Sequence, residues 1–171
     1  MAKPRLIVVS GAPGSGKTTL ARALAEAVHC PLISRDEIFE GLSRTQSHER
    51  LAETANDAFF GCASLLVHAG VSVVVEAAFQ HKLWAPLGGL LPLAETRLVR
   101  CSVDPGLALR RMATRLERQK WRSSVHQDAQ YLEQRRGGTF DHVELDVPTL
   151  EVDTTDGYAP AFDEVVRFAE G

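Results

Sequence analysis

The sequence has 171 residues, of which 24% are charged, and a formal net charge of −3. This length is typical of one domain that buries its own core. The weak negative charge argues against strong nonspecific binding to nucleic acid or to a membrane surface. No apolar run approaches the roughly 18 residues of a membrane span. The three cysteines are far apart in apolar contexts, so we expect buried free thiols and a reducing, cytoplasmic location.

The strongest pattern is the stretch GAPGSGKTT at residues 11–19. It matches G-x-x-x-x-G-K-[ST], follows the apolar run at residues 6–9 and opens a helical pattern. Glycines allow successive backbone N–H groups to turn toward an anion at a helix N-terminus. We therefore predict a phosphate-binding loop, called the phosphate loop below. Its members are Gly11, Ala12, Pro13, Gly14, Ser15, Gly16, Lys17, Thr18 and Thr19.

Two side chains of the phosphate loop have chemistry that suits a nucleotide. Lys17 brings a mobile positive charge to the β- and γ-phosphates, and the Thr18 hydroxyl is placed to ligate Mg²⁺. The strand pattern before the loop and the helix pattern after it make a chance match a poor explanation. The sequence thus predicts nucleotide binding.

Apolar runs alternate with helical patterns along the rest of the chain. Runs rich in β-branched residues predict strands, which lie at residues 6–10, 32–33, 71–76, 98–103 and 149–152. Helical spacing predicts helices at residues 17–29, from Asp36, at about 46–69, from Pro105 and around 162–168, with a broken helix at 80–94. This alternation predicts a parallel, doubly wound α/β sheet that binds ligands at the carboxyl ends of its strands.

Acidic residues follow two of the predicted strands. Ser34 and Glu37 have the spacing of a capping box, in which Ser34 caps the next helix and Glu37 reaches back to it. The helix then starts beside Asp36, whose charge could also serve only to stabilise the helix dipole. Glu76 ends the third predicted strand, at the sheet edge where sites of such proteins lie.

The helix after the fourth strand is strongly basic. Its predicted buried stripe consists of Leu109, Met112, Ala113 and Leu116. Between residues 110 and 122, Glu117 is the only acid. The cations of this stretch are Arg110, Arg111, Arg115, Arg118, Lys120 and Arg122. A run of charged residues usually forms a solvent-exposed face. Here so few acids balance the positive charges that the pattern favours a lid whose cations gain negatively charged partners when ATP binds.

Three features together resemble a known family: the phosphate loop, the Ser34-Arg35-Asp36 step after the second strand, and Arg111 and Arg115. The sequence is similar to the small P-loop kinases of the AAA-type ATP-binding group, which include polynucleotide 5′-kinases, chloramphenicol phosphotransferase and gluconate and shikimate kinases. The resemblance implies one P-loop kinase domain over residues 1–171, with helices on both faces of a five-stranded parallel sheet in the order 2-3-1-4-5. It also implies an Arg-rich lid at about residues 118–140, and ATP and Mg²⁺ as cosubstrates.

The resemblance also implies roles for individual residues. Asp36 matches an aspartate that orients or deprotonates the acceptor hydroxyl. Arg111 and Arg115 match lid arginines that contact the transferring phosphates, and with Lys17 they complete the expected catalytic set. Glu76 stands where relatives usually have an aspartate, which implies a water-mediated contact to Mg²⁺.

We therefore predict an ATP-dependent kinase that moves the γ-phosphoryl group to a hydroxyl of a small-molecule acceptor. A polynucleotide 5′-hydroxyl kinase and a nucleotide-dependent switch with slow hydrolysis are the alternatives. The sequence identifies neither the acceptor nor the oligomeric state. Arg35 is either a solvated neighbour of Asp36 or a charge in the acceptor site, and Phe79 or Trp84 is a candidate for lining that site.

Overall fold

The computed structural model describes residues 2–44, 50–118 and 140–171. The described strands form a five-stranded sheet in the order β2-β3-β1-β4-β5, and all neighbouring strands are parallel. The predicted fold class and strand order are confirmed. The strands are β1 (Arg5–Gly11), β2 (Leu32–Ser34), β3 (Val73–Ala77), β4 (Glu95–Ser102) and β5 (Thr149–Asp153).

The helices cover both faces of the sheet. They are α1 (Lys17–Ala27), α2 (Arg35–Ser43), α3 (Leu51–His68), α4 (Pro105–Arg118) and α5 (Phe162–Glu170). The predicted broken helix is a pair of 3₁₀ helices, His81–Gly89 and Leu91–Leu93, because Pro86 cannot donate the hydrogen bond that an α-helix requires. The predicted start of α3 at residue 46 and nearly all of the predicted lid lie outside the described residues. No described helix combines the length and apolar character needed to cross a membrane.

The central strand β1 is buried on both faces. Leu6 and Val8 point into an apolar layer with Phe59 of α3 and the 3₁₀ helices. Ile7 and Val9 point into a second layer with α1 and α5. All five side chains have 0% exposure. Because β1 is packed on both faces, the position of the phosphate loop at its carboxyl end is fixed.

Helix α4 buries only part of the predicted stripe. Among its described side chains, Met112 is buried as predicted and Ala108 is buried as well, whereas Leu109 is 39% exposed and Ala113 is also exposed. The cause is the close approach of α4 to the phosphate loop, where a Cβ on Gly14 would stand 2.7 Å from the Ala108 carbonyl oxygen. The backbone of α4 at Ala108 therefore lies directly against the loop. The side chain of Leu116 lies outside the described part.

The cysteines are free, but they differ in burial. Cys101 in β4 is buried, Cys30 is half-buried and Cys62 is exposed. The expectation of buried thiols is therefore wrong for Cys62, which lies on the solvent side of α3.

Candidate active site

The phosphate loop makes a tight turn between β1 and α1. Gly14 and Gly16 have φ angles of 81° and 75°, a region that side-chain-bearing residues rarely adopt. The Ser15 N–H donates to the Ala12 carbonyl at 3.0 Å and closes the turn. The loop borders a cavity of about 170 Å³ lined by Gly14, Gly16, Lys17, Thr18, Thr19, Arg111 and Arg115. The structure thus brings the loop and the two predicted arginines to one cavity.

Glu76 is fully buried at the carboxyl end of β3 and connects the phosphate loop to the neighbouring strand. Its Oε1 accepts a hydrogen bond from the Thr18 hydroxyl at 3.2 Å and lies 3.5 Å from Lys17 Nζ. Its Oε2 accepts from the Ser34 hydroxyl at 2.8 Å. A buried carboxylate is costly unless donors surround it, and here three side chains approach it.

The hydroxyl of Ser34 does not cap α2 through a side-chain hydrogen bond. It donates to Glu76 instead, while Glu37 pairs with Arg22 on α1. The predicted capping box is therefore wrong. The physical reason is that the fully buried Glu76 carboxylate needs protein donors, and the Ser34 hydroxyl lies within hydrogen-bonding distance of it.

The donor atoms at this point fit a magnesium ion. Thr18 and Glu76 offer a hydroxyl and a carboxylate, and Mg²⁺ prefers oxygen ligands. Among the described residues, no group of three or more His, Cys, Asp or Glu side chains comes together as a metal cluster.

Thr154, just after β5, contacts the phosphate loop, a role that the sequence analysis does not predict. Its hydroxyl donates to the Ser15 carbonyl at 2.7 Å and accepts from Arg111 NH1 at 3.2 Å. Arg111 NH2 donates to the Thr154 carbonyl at 2.8 Å, and its NH1 lies 3.5 Å from the Gly14 carbonyl. Arg111 and Thr154 therefore hold the backbone of the loop. The available signal was the position of Thr154 at the carboxyl end of a strand.

Asp36 and Arg35 begin α2, directly after the strand residue that contacts Glu76. The Asp36 side chain is 25% exposed, and its Oδ1 lies 3.7 Å from Arg35 NH1. Burial lowers the pKa of the Arg35 guanidinium, and the charge of Asp36 opposes that change. Asp36 thus lies at the same carboxyl edge of the sheet as Lys17 and Glu76, at the end of the neighbouring strand.

Both aromatic candidates for the acceptor site belong to the core. Trp84 and Phe79 are 1% and 5% exposed, and they pack edge-on with ring centroids 5.3 Å apart. The Trp84 indole N–H donates to the Phe79 carbonyl at 3.2 Å. The Phe79 ring also lies 5.8 Å from the Arg35 guanidinium, so of the two it is the one that reaches the α2 side.

A second cavity of about 390 Å³ lies between the phosphate loop, the end of β4 and α4. Cys101 lines it, and burial raises the pKa of that thiol to about 12, with Lys17 opposing the change. Cys101 is therefore protonated near neutral pH and has no nucleophilic character there. Other residues that line this cavity are Ala12, Ser15, Ser102, Val103, Pro105, Ala108, Leu109, Met112, Phe140 and His142.

The sheet order and the phosphate loop define a protein of the P-loop kinase fold. A comparison with known families gives the same result, because residues 6–137 match the AAA domain family. The chain belongs to that family.

Similar structures cover nearly the whole chain. A candidate kinase from Chloroflexus aurantiacus J-10-fl has a TM-score of 0.79 and 25% identity, over 98% of this chain and 97% of that one. The APS kinase of Mycobacterium tuberculosis, solved in complex with AMPPNP and APS, has a TM-score of 0.69 and 16% identity, over 100% of both chains. A shikimate kinase of Corynebacterium efficiens is 37% identical over 59 residues, which is 34% of each chain. The chain thus spans about a third of the length of that curated relative.

Proposed function

We propose that this protein is an ATP-dependent phosphotransferase that moves the γ-phosphoryl group of ATP to a hydroxyl of a small-molecule acceptor. The observation that carries the proposal is the convergence of Lys17, Thr18 and Ser34 on the buried Glu76 carboxylate. It joins a phosphate-binding loop to the strand edge at which α2 presents Asp36. Positioning and charge stabilisation account for most of the catalysis in phosphoryl transfer, and this site offers both.

Each residue of the site has its own role in the proposed reaction. Backbone N–H groups of the phosphate loop and the Lys17 ammonium bind the β- and γ-phosphates. Asp36 orients the acceptor hydroxyl and receives its proton as the new P–O bond forms and ADP leaves. Arg115 lines the cavity beside Lys17 and is placed to stabilise charge on the transferring group. Arg111 keeps the loop in shape through its contacts to Thr154 and Gly14.

Thr18 and Glu76 would hold Mg²⁺, Thr18 directly and Glu76 through water. The ion, when bound, neutralises charge on the phosphate oxygens. Ser34 donates a hydrogen bond to the Glu76 carboxylate, and Lys17 lies 3.5 Å from it, so both side chains help to hold Glu76 in position.

Replacing Lys17 tests the proposal most directly. Lys17→Met keeps the length of the side chain but removes its charge, so acceptor-dependent ADP release should fall by about 10²-fold or more. Because Lys17 also compensates Glu76, this variant loses stability as well. The double variant Lys17→Met with Glu76→Gln removes both charges, and it should regain stability while turnover stays low.

The matched control is Lys82→Met, which removes an exposed lysine from a 3₁₀ helix. It should keep both activity and melting temperature. A folded Lys17→Met protein with normal turnover would contradict the proposal. ADP release that occurs at the same rate with every acceptor and with none would favour the switch alternative.

The variant Asp36→Asn tests whether Asp36 acts on the acceptor and not on the nucleotide. The change keeps the size of the side chain but removes the group that takes the hydroxyl proton, a role worth about 10²–10⁴-fold in rate. ATP affinity should change little, because no nucleotide contact is assigned to Asp36. If Asp36 only stabilises the helix dipole, turnover stays normal and stability falls by about 0.3–1 kcal/mol. Turnover, calorimetric ATP binding and melting temperature decide between these outcomes.

A further inference from the structure

Arg35 is a cation at the β2–α2 junction to which the nucleotide site gives no role. Its side chain is only 16% exposed, although it begins a helix at the edge of the sheet. The guanidinium carbon lies 4.6 Å from the centroid of the Phe39 ring and 5.8 Å from that of Phe79. Two aromatic rings thus hold the guanidinium on the α2 side of the sheet edge.

A hydrogen bond and an ion pair orient the guanidinium further. Arg35 Nε donates to Oδ1 of Asn56 on α3 at 3.1 Å, and NH1 lies 3.7 Å from Asp36 Oδ1. A guanidinium has five N–H donors in a rigid fork, so these two contacts leave donor capacity on the group. Because Asn56 accepts through Oδ1, its Nδ2 group stays a donor beside the same fork.

The electrostatics of this junction favour an added negative charge. Burial lowers the pKa of Arg35, which means that the charged form is disfavoured there, and Asp36 offsets this only in part. In the proposed reaction the Asp36 carboxylate receives a proton and loses its charge. A ligand oxyanion next to Arg35 would compensate the buried cation throughout the reaction.

We propose that the phosphoryl acceptor carries an oxyanion group, a carboxylate or a phosphate, which Arg35 and Asn56 bind while Asp36 faces the reacting hydroxyl. This inference rests on the proposed phosphotransferase function. NH1 of Arg35 lies 3.7 Å from Oδ1 of Asp36, so one small molecule can place an anion on the first side chain and a hydroxyl near the second. Arg35 is then the residue that selects the acceptor class.

Matched acceptor pairs test the proposal. The probes are hydroxy acids against their methyl esters and amides, for the carboxylate arm, and nucleoside 3′-monophosphates against nucleosides, for the phosphate arm. With each pair, ADP release is measured, and so is the rise in melting temperature of the protein saturated with Mg-AMPPNP. We expect the anionic member of at least one pair to have a kcat/KM about tenfold or more above its neutral partner and to give the larger thermal shift.

The two readouts separate this inference from the function on which it rests. Transfer to neutral acceptors alone would overturn the inference and keep the phosphotransferase. A thermal shift that needs the anion and Arg35, without transfer to any acceptor, would keep the anion site and contradict the proposed function. If no anionic probe exceeds its neutral partner in either readout, the inference is wrong.

Variants locate the effect. Arg35→Met keeps the packing against Phe39 and Phe79 but removes the charge, so KM for the anionic acceptor should rise about 10- to 100-fold with a smaller change in kcat. Arg35→Lys should recover part of the loss. Arg167→Met, on the exposed side of α5 across the sheet, makes the same change in net charge and should leave KM unaltered.

A second position keeps the test decisive if Arg35→Met does not fold. Asn56→Asp keeps an acceptor for Arg35 Nε, but it replaces the amide donors with a carboxylate oxygen. The anionic acceptor should then bind at least tenfold more weakly, while the neutral partner is little affected. An unchanged ratio between the two members of the pair would overturn the assignment.

Discussion

Glu76 and Ser34 show how one side chain can be diverted from a local role. The Ser34 hydroxyl would suit the N-terminus of α2, yet it donates to a carboxylate on the next strand at 2.8 Å. The parallel register places Ser34 opposite Glu76, so the contact follows from strand pairing. A glutamate is long enough to reach both this hydroxyl and Thr18, and each of its oxygens thereby has a donor.

Removing the Ser34 hydroxyl should therefore have a measurable cost. Ser34→Ala leaves Oε2 of a fully buried carboxylate without that donor, and we expect a loss of about 1–3 kcal/mol in the free energy of unfolding. Ser34→Thr keeps the hydroxyl and should recover part of the loss. Urea titration measures both.

The control for Ser34→Ala is Ser64→Ala in α3, whose hydroxyl makes only a solvent-exposed contact with His68. Its unfolding free energy should stay within about 0.5 kcal/mol of the parent value. Equal losses of unfolding free energy in Ser34→Ala and Ser64→Ala would contradict a stabilising role of the Ser34–Glu76 hydrogen bond.

At this scale the sequence predicts some residues well and others not at all. The phosphate loop is contiguous, so its pattern alone indicates Lys17 and Thr18, and the end of a strongly apolar strand indicates Glu76. Thr154 carries no such pattern, because its role depends on a contact with Ser15 that only the folded chain creates. The partner of Ser34 was misassigned for the same reason.

At the scale of elements, α4 and the phosphate loop form one packed unit. The loop conformation needs glycine at position 14, and the backbone of α4 at Ala108 approaches the space where a side chain would be. Arg111 on the same helix contacts the loop from its next turn. The position of α4 therefore sets the shape of the nucleotide site.

Gly14→Ala should disturb both parts of this unit. The new Cβ combines a strained φ of 81° with a 2.7 Å approach to a backbone oxygen, which flexible side-chain motion cannot relieve. The strain alone costs about 1–3 kcal/mol, and nucleotide affinity should fall with it. Urea titration and calorimetric titration with ATP measure the two effects.

Gly61→Ala is the matched control, since Gly61 lies within α3 with no atom close to where its Cβ would be. It should raise stability by about 0.5–1 kcal/mol and leave ATP affinity alone. Unchanged stability and affinity in Gly14→Ala would contradict the packed unit.

Element types were predictable where local pattern and tertiary environment agree. The strands β1 and β3 are buried on both faces, so their unbroken apolar runs are unambiguous. The buried stripe of α4 was wrong for Leu109 because the contact of Ala108 with the loop, and not the hydrophobic spacing, determines which face points inward. Such a contact between distant segments leaves no periodic signal.

At the scale of the whole molecule, the buried Cys101 thiol makes stability depend on alkaline pH. Its pKa is raised from 9.0 to about 12 by burial, so the folded state keeps a proton that the unfolded state loses. The contribution is complete below about pH 9, and it is lost as the pH rises from 9 toward 12. The free energy of unfolding should decline over that window.

In Cys101→Ala the free energy of unfolding should decline less steeply with pH than in the parent protein, because the variant has no thiol at this position to lose its proton. The difference between the two proteins removes the contribution of the other groups that titrate. Urea titrations at pH 8, 9, 10 and 11 measure it. A constant difference between the two proteins across this range would contradict the prediction. The exposed Cys62 should react with iodoacetamide at pH 8 well before Cys101 does.

The hydrogen bond from Thr154 to the Ser15 carbonyl spans 139 positions of the sequence. A ribosome adds about 5–20 residues per second and makes the N-terminal part first, so the phosphate loop leaves the exit tunnel before β5 has been translated. During that interval the loop lacks both the Thr154 hydroxyl and the support that Arg111 gains from it. We therefore expect firm nucleotide binding to be a late event in biosynthesis that coincides with the addition of β5 to the sheet.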